Sequence, residues 1–185
     1  MNKPKELPMF NQLINWFQGK HKIELSNLPS TEGSKNQLNN LQVKIIEPIE
    51  NEFGPINITY GFVSAELNRF IQKHSPSGTA PQLDQHASHE INRQGNRINK
   101  RDGAACDFFI DGYKNQMNEI VIYLCQHLEF DKIYYYGKNR PIHVSVSNTP
   151  EKHLQVMNIS KNGRRIPGKR AYGEDALKLS LELTI

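Results

Sequence analysis

The chain has 185 residues, which suits one compact domain with an extension or a small second module. Hydrophobic residues make up 37% of it and charged residues 23%, and no apolar stretch approaches the ~20 residues that a membrane helix needs. These values predict a soluble globular protein and argue against a membrane span. The net charge of +4 fits an acidic partner, such as nucleic acid or an anionic cell-wall polymer.

The beginning of the chain and the cysteines bear on the compartment. The first residues, MNKPKELPMF, carry charge but lack the apolar centre of a secretory signal, so we expect a cytoplasmic protein that would need a separate route of release. Two cysteines, Cys106 and Cys125, are too few for a disulfide framework. We expect both thiols to be reduced and partly buried.

The first 40 residues are predicted to be an N-terminal extension. Apolar residues at 13, 14, 16 and 17 indicate a short amphipathic helix. The stretch 26–40 is rich in Ser, Asn, Gly and Pro and is typical of a loop.

A helix, a strand and a second helix are predicted next. Residues 41–53 have nearly helical apolar spacing with Pro48 inside, which indicates a kink or a late helix start. Residues 56–60 alternate and are β-branched, as in a strand. Ser64 can cap a helix over 65–73. The polar stretch 75–100 predicts a long loop.

The middle of the chain predicts three strands and one helix. The strands cover 104–110, 132–136 and 142–147, and apolar residues spaced by three and four predict a helix over 117–128. Alternation places Cys106 opposite Asp107, and Tyr135 opposite its two neighbouring tyrosines.

The last segment is predicted to hold two strands around a basic loop. The strands cover 154–160 and 177–185, the latter alternating throughout, and the class is α+β with a central, mostly antiparallel sheet flanked by helices. The loop over 161–170 offers five cations to an anionic partner: Lys161, Arg164, Arg165, Lys169 and Arg170.

Three residues in separate elements have the chemistry of a metal site. His86 lies in the long loop, Asp107 in an apolar strand and His143 in another strand. Two imidazoles and one carboxylate with an open fourth position are typical of catalytic zinc. His89 is an alternative to His86, because both lie in the segment DQHASHE.

Three motifs carry a resemblance to a known family. The sequences FGPINITYGF over 53–62, SAELN over 64–68 and GAACD over 103–107 resemble zinc D-alanyl-D-alanine carboxypeptidases and related phage endolysins. The resemblance extends over residues 41–147 and implies the fold that those enzymes share with the hedgehog signalling domain. It also implies zinc held by His86, Asp107 and His143, and a peptide substrate such as a peptidoglycan stem.

The chain departs from the family pattern at the positions of two catalytic side chains. Arg140 replaces the acidic general base three residues before His143, and Val63 replaces an arginine that stabilises the oxyanion. Each such role is worth roughly 10²–10⁴ in rate. Glu90 or Asp102 would then supply the base, or Arg140 would clamp an anionic substrate.

Two functions therefore follow from the sequence. The first is a zinc-dependent hydrolase of peptide bonds, with residues 41–185 as its domain. The alternative is a catalytically altered or inactive peptidase-fold protein, phage- or defence-related, that binds nucleic acid or an anionic protein.

Overall fold

The computed structural model describes residues 11–21, 25–74 and 84–184. The six α-helices in this part of the chain are α1 (Asn11–His21), α2 (Glu32–Leu41), α3 (Glu47–Phe53), α4 (Ala65–His74), α5 (Met117–His127) and α6 (Glu174–Leu181). The strands are β1 (Ile56–Tyr60), β2 (Ala104–Ile110), β3 (Lys132–Tyr135), β4 (Ile142–Val146), β5 (His153–Ile159) and β6 (Arg165–Tyr172).

The strands form one mixed sheet in the order β1-β2-β4-β3-β5-β6. The β3–β5 pair is parallel and the other four pairs are antiparallel. The α+β class is therefore confirmed.

The core lies on one face of this sheet. Cys106, Phe108, Ile133, Val144 and Leu154 are each 0% exposed and belong to a cluster with residues of α2, α5 and α6. Alternation along the strands therefore leaves Asp107 and His143 on the opposite face. The predicted orientation of Cys106 away from Asp107 is confirmed.

The loop prediction for 26–40 is wrong over most of its length. Helix α2 begins at Glu32, where Thr31 caps it by accepting a hydrogen bond from Ser34 N at 3.0 Å. Leu38 and Leu41 are fully buried. The polar residues of this stretch favoured a loop. The apolar residues that give the helical spacing lie mostly at its end and beyond residue 40, so the stretch alone shows too little of the period.

A π-helical segment, Gln42–Ile46, joins α2 to α3. Pro48 is the second residue of α3 and directly follows the π segment, where the helical hydrogen-bond pattern changes. The predicted late helix start at Pro48 is wrong, because the helical run begins at Glu32 and continues through the π segment into α3.

Two predictions for the C-terminal segment are wrong. The predicted strand 177–185 is helix α6 followed by a 3-10 turn, Glu182–Thr184. Its leucines alternate, but Ala176, Leu179 and Ser180 also fit helical spacing and are the buried ones. The predicted loop 161–170 becomes strand β6 from Arg165 onward. Pro167 is tolerated there because β6 is an edge strand.

The N-terminal helix packs on the rest of the chain. Leu13 and Ile14 are buried in the same core cluster as the sheet. Phe62 N donates a hydrogen bond to Leu13 O at 2.8 Å. A Cβ on Gly61 would lie 2.4 Å from that carbonyl oxygen, so the close approach of α1 requires glycine.

The buried carboxylate of Asp131 anchors the loop between α4 and β2. Gln85 Nε2 donates to Asp131 Oδ2 at 2.7 Å near the start of the described part of this loop, residues 84–103, and Arg101 Nε donates to the same oxygen at 2.6 Å near its end. Glu151 N donates to Asp131 Oδ1 at 2.9 Å. Asp131 is 0% exposed, so its charge depends on these partners.

Substituting Asp131 with Asn tests this anchor. Burial alone would raise the pKa of Asp131, but Arg101 and the two other donors hold it below its ordinary value. We expect Asp131→Asn to cost about 3 kcal/mol of unfolding free energy near neutral pH, measured by denaturant titration. Glu151→Gln, which removes a more exposed partner of Arg101, is the control and should cost less than about 1 kcal/mol.

The pH dependence of this difference follows from the lowered pKa. The stabilisation is complete above the unfolded-state pKa of about 3.9 and is lost as the pH falls through the lower folded-state pKa. The two proteins should therefore converge in stability in strong acid. A constant difference down to pH 2 would contradict this origin.

Candidate metal centre

Two of the predicted ligands face each other across adjacent strands. Asp107 of β2 pairs directly with His143 of β4 in the antiparallel register. His143 Nδ1 and Asp107 Oδ1 are 2.8 Å apart. The strand pairing therefore fixes the relative position of these two side chains.

His86 reaches the same place from the loop. It lies in a 3-10 turn, Gln85–Ala87, and its Nδ1 is 2.9 Å from the Gly61 carbonyl oxygen. A carbonyl only accepts, so Nδ1 carries a proton, and Nε2 is the ring nitrogen that faces the cluster. His86 Nε2 lies 3.2 Å from His143 Nδ1 and 3.3 Å from Asp107 Oδ1.

Asp84 is a fourth member that the sequence reasoning missed. Its carboxylate oxygens lie 3.9 Å from His86 Nε2 and 3.7 Å from His143 Nε2. Asp84, His86 and His143 form a possible metal-binding triad, with ligand atoms all within 4.8 Å of one another. Asp84 stands two residues before His86, and that acidic neighbour was the available signal.

The electrostatics of the cluster favour a cation. Burial lowers the pKa of His86, but the charges of Asp84 and Asp107 outweigh it and raise the pKa to about 9. Burial would raise the pKa of Asp107, yet hydrogen bonds from His143 and His86 hold it far below its ordinary value. His143 Nε2 is buried and has no hydrogen-bond partner among the described residues.

Aromatic rings hold both imidazoles in place. The Tyr134 ring stacks on His143 with centroids 4.7 Å apart, and the Tyr60 ring meets His86 edge-on at 4.7 Å. Trp16 packs on the other side of Tyr60 at 4.1 Å. Tyr135 is buried in the core on the opposite face, so the predicted alternation of the tyrosines is confirmed.

The structure brings His86 rather than His89 to the cluster. His89 Nε2 lies 3.4 Å from Asp102 Oδ1. Asp102 also pairs with Arg97 at 2.7 Å. Glu90 is 1% exposed and accepts hydrogen bonds from the Ser30 backbone and from two serine hydroxyls. Both carboxylates proposed as replacement bases thus have partners outside the cluster.

Arg140 and Val63 have opposite environments. Arg140 is exposed in the turn between β3 and β4. Val63 is fully buried in a second apolar cluster with Phe17 and Leu67. Its backbone N donates to His86 O at 3.0 Å, so Val63 supports the loop through its main chain.

The five predicted anion-binding cations lie in the β5–β6 turn and on β6, and two of them have partners within the chain. Lys161 and Arg164 are exposed in the β5–β6 turn, and Arg170 is exposed on β6. Arg165 donates to Tyr136 O at 3.1 Å and lies 5.5 Å over the Tyr136 ring. Lys169 pairs with Glu182 at 2.7 Å.

Comparisons with known proteins leave the resemblance as a proposal. No protein-family model matches the chain, and no curated protein or solved structure is significantly similar to it. Within the described residues, none of the helices has the length and apolarity required to cross a bilayer. The case for a function therefore depends on the geometry of the cluster.

The two thiols provide a test of the assigned sheet faces. Cys106 is fully buried, and burial together with the charge of Asp107 raises its pKa. Burial raises the pKa of Cys125 to about 12. We expect neither thiol to react rapidly with a thiol reagent at pH 8 in the native protein, and both to react after unfolding. If the native protein reacts rapidly and Cys106→Ala abolishes that reaction, Cys106 lies on the same sheet face as Asp107 and the assigned faces are wrong.

Proposed function

We propose that the chain is a zinc-dependent hydrolase that cleaves peptide amide bonds, with a fold like that of the D-alanyl-D-alanine carboxypeptidases and phage endolysins. The observation that supports this most is the convergence of His86, Asp107 and His143, from a loop and two paired strands, on one point of the sheet face opposite the main core. Asp107 lies in one of the motifs that resemble the family, and the resemblance implies His86 and His143 as the other two ligands.

The donor set suits zinc. Ligand atoms of a tetrahedral zinc ion, each about 2.0–2.1 Å from the metal, lie about 3.3 Å from one another. The three separations among His86 Nε2, Asp107 Oδ1 and His143 Nδ1 are 2.8, 3.2 and 3.3 Å. With His143 bound through Nδ1, its Nε2 proton would face Asp84 Oδ2, 3.7 Å away. At 3.7 Å this is an electrostatic contact and not a hydrogen bond, so Nε2 has no hydrogen-bond partner among the described residues.

Asp84 is the carboxylate best placed to act as the base. Its side chain is 34% exposed, so water reaches it, and both of its oxygens face the imidazoles of the cluster. It would accept a proton from the attacking water and return it to the leaving amine. A bound zinc ion would supply Lewis-acid polarisation of the scissile carbonyl. Asp84 would thereby take the role that Arg140 cannot perform.

The substrate class follows from the resemblance and from one exposed cation. A peptidoglycan stem peptide is the substrate that the family pattern implies. Arg140 forms no ion pair with the described residues and follows the strand that carries Tyr134. Its guanidinium is available to hold a substrate carboxylate.

One observation favours the second candidate function. The position three residues before His143 holds an arginine, and Val63 is buried where the family has a catalytic arginine. A protein that retains the metal for structure and binds an anionic partner, nucleic acid or protein, would have both features. The role of Asp84 distinguishes the two candidates, because the hydrolase needs it as a base and the binding protein does not.

Metal content tests the centre itself. We expect about one zinc ion per chain in the wild type by elemental mass spectrometry, and a large loss in His86→Ala, His143→Ala and Asp107→Asn. His127→Ala, which removes an exposed imidazole at the end of α5, is the matched control and should retain the metal. Folded wild-type protein without metal after zinc loading would exclude the proposal.

Asp84→Asn tests the base. We expect this variant to keep its zinc, because His86, Asp107 and His143 would still hold it, and to lower kcat roughly 10²–10⁴-fold on a peptide that ends in D-alanyl-D-alanine, because the amide cannot accept the proton. Loss of zinc in this variant would instead show that Asp84 is a ligand, as its place in the triad with His86 and His143 allows. Asp102→Asn, whose carboxylate pairs with Arg97, should retain activity if it remains folded. Zinc-loaded wild type that is inactive on all peptidoglycan fragments would favour the second candidate.

A further inference from the structure

A cleft separate from the metal-binding cluster lies between helix α4 and the loop after His89. It has a volume of about 410 Å³, and its described walls come from one face of α4 and from residues 92–98. The α4 residues that line it, at positions 65, 68, 69 and 72, have the spacing of a single helix face. Polar side chains dominate the lining: Asn68, Arg69, Gln72, Arg93, Gln94 and Arg97.

The charge of the cleft is one-sided. Three arginines line it, and none of its described lining residues is acidic. Arg97 pairs with Asp102 at 2.7 Å, but Arg69 and Arg93 form no ion pair with any described residue. Two uncompensated guanidinium groups around one concavity repel each other and attract an anion.

Two buried polar atoms of the lining residues also have no hydrogen-bond partner in the part of the chain that the structure describes. They are the carboxamide oxygen of Asn68 and Nε of Arg97. Asn68 is only 8% exposed, so water does not replace the missing donor. An unsatisfied buried polar group is destabilising, and the soft terminal torsion of an asparagine lets the carboxamide turn toward a ligand.

The two unpaired atoms need opposite hydrogen-bond partners. Arg97 Nε, like the guanidinium groups of Arg69 and Arg93, needs an acceptor, whereas the Asn68 oxygen needs a donor. Phosphate near neutral pH offers both, because it has several anionic oxygens and retains a hydroxyl group. Sulfate offers acceptors only.

We propose that this cleft binds a phosphate group. Arg69, Arg93 and Arg97 would hold its anionic oxygens, and the Asn68 carboxamide oxygen would accept a hydrogen bond from its hydroxyl group. The site is independent of the proposed hydrolase activity, because none of its residues belongs to the metal-binding cluster. Arg97 also donates to the carbonyl oxygens of Ser88 and Arg101, so the ligand would adjoin the loop that carries His86.

The test uses inorganic phosphate and the full-length protein. Calorimetric titration near pH 7 should show one saturable site per chain, with sulfate binding more weakly. The double variant Arg69→Ala/Arg93→Ala should weaken phosphate binding at least about tenfold, because two charge-assisted contacts are lost. Arg164→Ala removes one exposed charge from the β5–β6 turn and should leave binding unchanged. His86→Ala should also leave it unchanged, which excludes phosphate bound to a metal ion.

Asn68→Leu tests whether the cleft recognises the phosphate hydroxyl or merely attracts any anion. The change replaces an unsatisfied carboxamide by an apolar group of similar size, so the variant should fold with unchanged or higher stability. We expect it to lose the preference for phosphate over sulfate. The proposal is overturned if wild type shows no saturable binding, if the double variant binds like wild type, or if the preference survives in Asn68→Leu.

Discussion

One buried carboxylate, that of Asp131, joins the loop before β2, the start of β3 and the segment before β5. Asp131 precedes β3 and receives Gln85 from one end of the α4–β2 loop and Arg101 from the other. Since an ionised carboxylate without partners is costly to bury, the loop, β3 and the segment before β5 must come together at the same point. His86 follows Gln85 directly, so the position of one candidate ligand depends on this interaction.

The remaining ligands depend on strand register. Asp107 and His143 are neighbours only while β2 and β4 keep their antiparallel pairing, and a slip of one residue would turn either side chain into the core. Gly103 helps to fix this register, because a Cβ there would lie 1.8 Å from Val146 O. The cluster thus combines a rigid sheet with a loop attached by ion pairs and hydrogen bonds, which is how a preorganised site is built.

The sequence predicted the elements whose apolar spacing repeats over several turns, such as α5 and the strands β1 to β4, and it predicted His86, Asp107 and His143 as a group. It could not distinguish helix from strand in the leucine-rich α6, because short alternating segments fit both periods. Asp84 was missed because a carboxylate in a polar loop has no periodic context. Its role appears only when the fold brings His143 beside it.

Gln85 and Arg101 are both attached to Asp131, so the distance between these two residues in space does not depend on the number of residues between them. Within the described part of the loop, the exposed stretch 93–96 can gain or lose residues without moving either attachment point, because the entropy of closing a loop rises only slowly with its length. The interval of twenty-one positions between His86 and Asp107 can therefore differ in length without displacing either ligand. Searches that rely on fixed spacing between ligands would overlook such chains, whereas searches for the buried acid with its amide and guanidinium partners would not.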